Sequence, residues 1–235
     1  MASLPLGPLR SVFMLDAVVF DFDGVVVDSE PIHLACFRTV LGGRGIELPT
    51  EDYYSRYVGF DDHDCFAAVL RDNDRPVHEA EIAAMTAEKT ALVKQAFAES
   101  VTALPGALEL MRAARQAGVA VAVCSGGLRD EIELAGRAVG ALSLVDVLVS
   151  AADVARGKPD PEGYRLALKR LSEKLARWID PARVWVVEDA AAGVAAAKAA
   201  GCKVLAVTNS YPRQALTAAD RVVDSLAEVD LAQLE

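Results

Sequence analysis

AVVFDFDGVVVDSEP, residues 17–31, carries an apolar run straight into Asp21 and Asp23, with Asp28 following a few residues on. A short, Val-rich run without polar alternation is the pattern of a strand buried on both faces, as in a parallel sheet. Carboxylates at the end of such a strand are costly unless something offsets their charge. Gly24 supplies the bend that follows. The fold and the chemistry both turn on what else gathers at this strand end.

Outward from this stretch, four more apolar runs read as buried strands: 119–124, 145–149, 184–187 and 204–207. Helical patterns lie between most of them. Residues 107–117, 128–139 and 190–200 end at Gly118, Gly140 and Gly201, the position glycine takes after a helix. A fourth helix is expected over 161–176. Strand and helix in alternation predict an α/β fold with a parallel sheet covered by helices on both faces. The interval from about Ser29 to Ser100 breaks the alternation: it holds no strand pattern and three helical stretches, near 30–42, 61–70 and 78–98. This is too much chain for a crossover, so an all-helical cap domain over 29–100 is expected, inserted into a core of 1–28 and 101–235. Pro105-Gly106 marks the return to the core.

The 235 residues are 53% hydrophobic and 25% charged, with a net charge of −10. That balance argues against nucleic acid or an anionic membrane surface as the main partner. It leaves room for an anionic small molecule where positive charge is supplied locally. No run approaches the ~18 apolar residues of a membrane helix, and MASLPLGPLRSVFML, residues 1–15, lacks the pattern of a signal peptide. Cys36, Cys65, Cys124 and Cys202 are scattered, with no metal-ligand spacing. They read as buried small hydrophobes in a reducing compartment. A cytoplasmic protein, a monomer or weak homodimer, is expected.

In an open parallel sheet, ligands bind outside the carboxyl ends of the strands. Asp21 and Asp23 follow the first strand; Ser125, Gly126 and Gly127 follow the second. Lys158 lies in the loop after the third, and Glu188 and Asp189 follow the fourth. These four groups are expected to face one crevice. The carboxylates are hard oxygen ligands suited to Mg²⁺, and that metal would offset their mutual repulsion. Ser125 and the Gly126 and Gly127 amides, read as opening a helix, form a candidate phosphate site, and Lys158 adds a point charge. Together they describe phosphoryl transfer, where catalysis is mostly positioning and charge neutralisation. An Asp can itself be the nucleophile; Asp23, on the same side of an extended chain as Asp21, is placed to exchange protons.

These residues resemble a known family. DFDGVVVDSE is similar to the DxDGxxxDS/T opening of the haloacid dehalogenase superfamily; the serine of VCSGG, the lysine of GKPDP and VVEDAAAGVAAAKAAG resemble its second, third and fourth motifs. The resemblance spans residues 17–201 and lies closest to the branch of β-phosphoglucomutase, phosphoglycolate phosphatase and the CbbY-like sugar-phosphate phosphatases. It implies a Rossmann-like core with a helical cap. It implies Asp21 as nucleophile and metal ligand, and Asp23 as acid/base and ligand through its carbonyl. Ser125, Gly126 and Lys158 would bind the phosphate, and Glu188 and Asp189 would hold Mg²⁺, with Glu188 either a direct ligand or one layer behind. His33 and Lys89 fall where cap residues of that branch reach the substrate.

Two departures stand out. Ala190 follows Asp189 where the family usually has serine. GFDDHDCF, with Asp62, stands where the mutase carries a cap arginine. Asp61, Asp62 and Asp64 would repel a second phosphate, though Arg56 or Arg71 lies close enough in sequence to substitute. The expected activity is Mg²⁺-dependent hydrolysis of a small phosphorylated metabolite through an aspartyl-phosphate. The alternatives are a phosphosugar mutase and a non-enzymatic phosphate-binding protein.

Overall fold

In the computed structural model, residues 15–58 and 60–234 are described. The signal-peptide reading falls on residues that, Leu15 apart, lie outside that range. The core is a six-stranded sheet, all parallel, in the order β3-β2-β1-β4-β5-β6. Its strands are β1 (Ala17–Phe20), β2 (Ala120–Cys124), β3 (Val147–Val149), β4 (Val184–Glu188), β5 (Lys203–Val207) and β6 (Arg221–Val223). Alternate residues feed two separate apolar layers. Val18, Phe20, Val121, Val123 and Val187 pack with helix α5 (Ala107–Gln116) and helix α6 (Arg129–Ala138). Ala17, Val19, Ala122, Val184 and Val186 pack with α7 (Glu162–Leu175) and α8 (Ala191–Ala199). This two-sided burial is why the strands read as unbroken apolar runs.

Between β1 and β2 lie α1 (Glu30–Gly42), α2 (Thr50–Asp52), α3 (Asp62–Asp72) and α4 (Glu79–Ser100). They carry their own apolar cluster, with Phe37, Leu41, Phe66, Leu70 and Met85 at its centre. The two chain segments that join this insert to the sheet lie against each other. Asp28 N–H donates to the Thr102 carbonyl at 3.0 Å, Leu104 N–H to that of Val26 at 3.0 Å, and Val27 bridges antiparallel to Ala103.

Three features differ from expectation. β6 is a short edge strand whose first two residues are only half-buried, so it carries no apolar run. The turn Thr50–Asp52, continued by a π-helical Tyr53–Tyr57, precedes α3; its buried Tyr53 and Tyr57 belong to the insert's core. Helix α6 begins at Arg129, with Leu128 as its N-cap. Ser125, Gly126 and Gly127 therefore form a loop before the helix and do not open it.

Candidate active site

The strand order places β1 between β2 and β4, the point from which connections run in opposite directions and where open α/β sheets bind ligands. Asp21 follows β1, and Glu188 and Asp189 sit at the end of β4. The three offer carboxylate oxygens that all lie within 4.8 Å of one another. Lys158 enters from the loop after β3, its Nζ 2.8 Å from Asp21 Oδ1 and 2.6 Å from Glu188 Oε1. One ammonium thus faces three carboxylates. Burial, with the neighbouring charges of Glu188 and Asp189 adding to it, holds the Asp21 carboxyl well above its ordinary range despite Lys158. Burial and Glu188 push Asp189 up to about 7. Lys158 is held above the ordinary lysine value by Asp21 and Glu188, against its own burial.

Glu188 and Asp189 do different work here. Glu188 is fully buried. Its Oε1 accepts from Lys158 and from the Tyr164 hydroxyl. Its Oε2 accepts from the backbone N–H of Asp189 at 3.1 Å and of Ala190 at 3.4 Å. Four donors occupy the roughly four acceptor positions of a carboxylate. Glu188 is thereby committed to orienting Lys158 and the turn after β4. Among the described residues, Asp189 accepts from one side-chain donor, Ser210, and so retains acceptor capacity, as does Asp21.

Two glycines let this cluster close. A Cβ at Gly193 would overlap the carboxylate of Glu188, and one at Gly24 (φ +71°) would overlap Asp189 Oδ2 and Ser210 Oγ. Gly193→Ala is therefore expected to act far beyond an added methyl, because four donors fix the group it strikes. Overpacking costs about 1–3 kcal/mol, a fall in Tm of roughly 2–12 °C for a chain of this size. Thermal denaturation checks this, and an unchanged Tm would show that Glu188 is free to move aside.

Asp23 and Ser125 meet at 3.4 Å, Ser125 Oγ donating to Asp23 Oδ2. Ser125 Oγ also accepts from the Gly127 N–H at 2.9 Å, so that amide is already engaged; Gly126 lines the cavity. Burial raises the Asp23 carboxyl above its usual value, and the Ser29 and Ser125 hydroxyls and the positive charges of Lys158 and Lys89 oppose it. Asp23 and His33 face a cavity of about 350 Å³ between the sheet edge and the helical insert, which Asp61, Asp62, Thr86 and Glu131 also line.

Of the residues expected at the substrate, His33 reaches this cavity, whereas Lys89 lies behind its lining. Lys89 is buried, bonded to Asp62 at 2.5 Å and to His33 Nδ1 at 3.0 Å, and sits 4.3 Å from the centre of the Phe37 ring. Burial and the Lys89 charge push the His33 imidazole down to about 3, leaving it neutral. Asp62 is thereby neutralised by an internal partner, and Asp61 caps α3 by accepting from the Asp64 N–H at 2.8 Å. Neither arginine expected as a substitute is available. Arg56 is bonded to Asp72 at 2.5 Å, and Arg71 is exposed in the last turn of α3, roughly 13 Å along the helix from Asp62. Asp28, the third aspartate of the opening stretch, is exposed outside the cluster.

The sequence reading missed Ser210, Tyr164 and Glu131. Applying the strand-end rule to β5 as well would have found Ser210, which follows it in TNS. Tyr164 carries no such signal, since a tyrosine on the apolar face of a helix reads as core.

Over residues 15–201 the chain matches the haloacid dehalogenase-like hydrolases. It is 32% identical over 222 residues to validoxylamine A 7'-phosphate phosphatase of Streptomyces hygroscopicus subsp. limoneus, covering 92% of this chain and 96% of that one. It is 32% identical over 213 residues to hexitol phosphatase A of Escherichia coli K12, covering 90% and 91%. The crystal structure of CbbY from Rhodobacter sphaeroides in complex with phosphate superposes with a TM-score of 0.81 at 28% identity, covering 94% and 99%. Aspartates and one half-buried lysine at the switch point of a Rossmann-like sheet, together with these relatives, define a phosphoric monoester hydrolase. The chain belongs to the haloacid dehalogenase-like hydrolase family. Phosphatases of this superfamily generally use a divalent metal, and the acidic cluster is present here. Among the described residues, no helix is long and apolar enough to cross a membrane.

Proposed function

We propose that this protein is a Mg²⁺-dependent phosphatase of small phosphorylated polyols or sugars that works through an aspartyl-phosphate. Residues 29–100 act as its cap domain, and 1–28 with 101–235 as its core. The observation that carries the reading is the shared position of Asp21. It is at once bonded to Lys158, within reach of Glu188 and Asp189, and two residues from Asp23, which faces the cavity.

Asp21 and Asp189, with the Asp23 carbonyl, would hold the metal. Their donors are hard oxygens, and a buried group of carboxylates with one lysine among them fits a small divalent cation. When bound, Mg²⁺ would neutralise charge on the phosphoryl oxygens and on the cluster. Lys158, held in place by Glu188, draws the phosphate toward Asp21. A carboxylate oxygen of Asp21 attacks phosphorus while the bond to the alcohol oxygen breaks, and Asp23 gives that oxygen its proton. The raised Asp23 carboxyl suits this role, since it keeps its proton closer to neutral pH than an ordinary aspartate does. Water then attacks the phosphoryl group, Asp23 takes the water's proton, and phosphate leaves with Asp21 restored.

A mutase must hold a second phosphate, and no arginine or lysine lines the cavity among the described residues; that favours hydrolysis. Four buried free cysteines fit a cytoplasmic location. The test is phosphate release across a panel of phosphorylated metabolites. Activity is expected to fall at least about a hundredfold on chelation and to return with Mg²⁺ but not Ca²⁺, whose looser coordination misplaces the carboxylates. Full activity after exhaustive chelation sinks the metal assignment. With β-glucose 1-phosphate and a trace of the 1,6-bisphosphate, fast isomer formation without free phosphate would establish the mutase instead.

A further inference from the structure

We propose that the end of the cavity away from Asp21 selects phosphate monoesters whose alcohol carries a protonated amine, and that Glu131 is the residue that sets this preference. The inference rests on the phosphatase reading above and deepens it.

Glu131 stands in the first turn of α6, half-buried in the cavity wall. Its carboxylate has no hydrogen-bond or ion-pair partner among the described residues, because every cation nearby is engaged elsewhere. Arg129 bonds to Asp153 at 2.6 Å, Lys94 to Asp130 at 2.5 Å, and Lys89 to Asp62 at 2.5 Å. His63, also in the lining, has both ring nitrogens on Asp64 and Glu79. Burial pushes the Glu131 carboxyl up to about 7; Lys89 opposes this, and the Asp62, Asp130 and Asp23 charges add to it. A cation placed beside it would reverse that.

A second observation points the same way. Thr86 lines the same cavity from the insert, and its hydroxyl is shielded from solvent with no hydrogen-bond partner. Two polar side chains of this wall thus find no partner among the described residues, one of them a carboxyl. Asp61 adds a further carboxylate, and among the described residues no lysine or arginine opposes them in the lining; His63 is held between Asp64 and Glu79. An ammonium group meets attraction here, and a second phosphate meets repulsion.

The test uses two matched pairs that differ only in amine against hydroxyl: glucosamine 6-phosphate with glucose 6-phosphate, and 2-aminoethyl phosphate with 2-hydroxyethyl phosphate. They are assayed with Mg²⁺ at about pH 7, where the amines are protonated. The kcat/KM of the amine is expected to exceed that of its partner about tenfold or more in at least one pair. Glu131→Gln, which keeps the shape and removes the charge, brings that ratio close to one, and Glu131→Asp restores part of it. A merely structural role would lower both members of a pair together and leave the ratio unmoved. Equal kcat/KM within both pairs, a preference that survives Glu131→Gln, or hydrolysis of p-nitrophenyl phosphate without either pair overturns the amine preference while the phosphatase stands. Failure to release phosphate from any of these compounds overturns the phosphatase reading itself, and the preference with it.

Discussion

Asp21→Asn is expected to lower kcat by about four to six orders of magnitude, the scale on which losing a nucleophile acts, while the protein stays folded. The amide keeps the shape of the side chain but cannot form the acyl phosphate. Stability should move the other way from activity. Asp21, Glu188 and Asp189 confront one lysine, so removing a carboxylate relieves repulsion in the metal-free protein. The pH dependence carries the sign. A buried carboxyl whose value is raised on folding, as Asp189's is to about 7 from 3.8, stabilises the fold fully only below its unfolded value, and that contribution disappears as pH rises through the folded one. With metal chelated, the wild-type Tm should fall between about pH 4 and pH 7, and the variant should be at least as stable at the upper end. Thermal scans across that range, beside single-turnover assays, decide it. Residual turnover near wild type would remove Asp21 from the nucleophile's role.

Lys158→Met should be the most damaging change to stability. It leaves Asp21 and the fully buried Glu188 facing each other without their shared cation. Removing one partner of a buried ion pair costs about 3–5 kcal/mol, or a fall in Tm on the order of 10 °C. Mg²⁺ should recover part of this by neutralising the same cluster. Activity should fall about a hundred- to a thousandfold even when the metal is saturating, because a preorganised charge aimed at the phosphate is gone. Scanning calorimetry with and without chelator reads the first effect, and steady-state kinetics the second. An unchanged Tm in chelator would mean that Lys158 does not hold the carboxylates together.

The sheet and its edge were legible because burial on two faces writes itself into composition. Val18, Val19 and Phe20 admit no polar neighbour, so the break to Asp21 is audible. The same rule fails for β6, where Arg221 and Val222 are half-buried. Strand-end bookkeeping brought Asp21, Ser125, Lys158 and Glu188 to one edge without any knowledge of strand order. It could not say that Glu188 spends its acceptors on Lys158, Tyr164 and two amides, since those partners come from three separate segments. Lys89 resisted reading for a related reason. The resemblance sends it to the substrate, and only tertiary packing turns it instead to Asp62 and His33. Glu131 looks like any acidic residue of a helix's first turn until the engagement of Arg129, Lys94 and Lys89 elsewhere is known.

The joined segments Val26–Asp28 and Thr102–Leu104 carry a consequence for how such a protein changes over time. Because they are hydrogen-bonded side by side, the sheet experiences the whole stretch from 29 to 101 as a loop with touching ends. The entropy of closing such a loop grows by only about 0.6 kcal/mol for each doubling of its length. Helices can thus be lengthened, traded or rebuilt above the cavity at little cost to the catalytic edge below. The insert's share of the cavity wall, His33, Asp61 and Thr86 among it, can therefore change without rewriting the sheet edge that carries Asp21, Lys158 and Asp189.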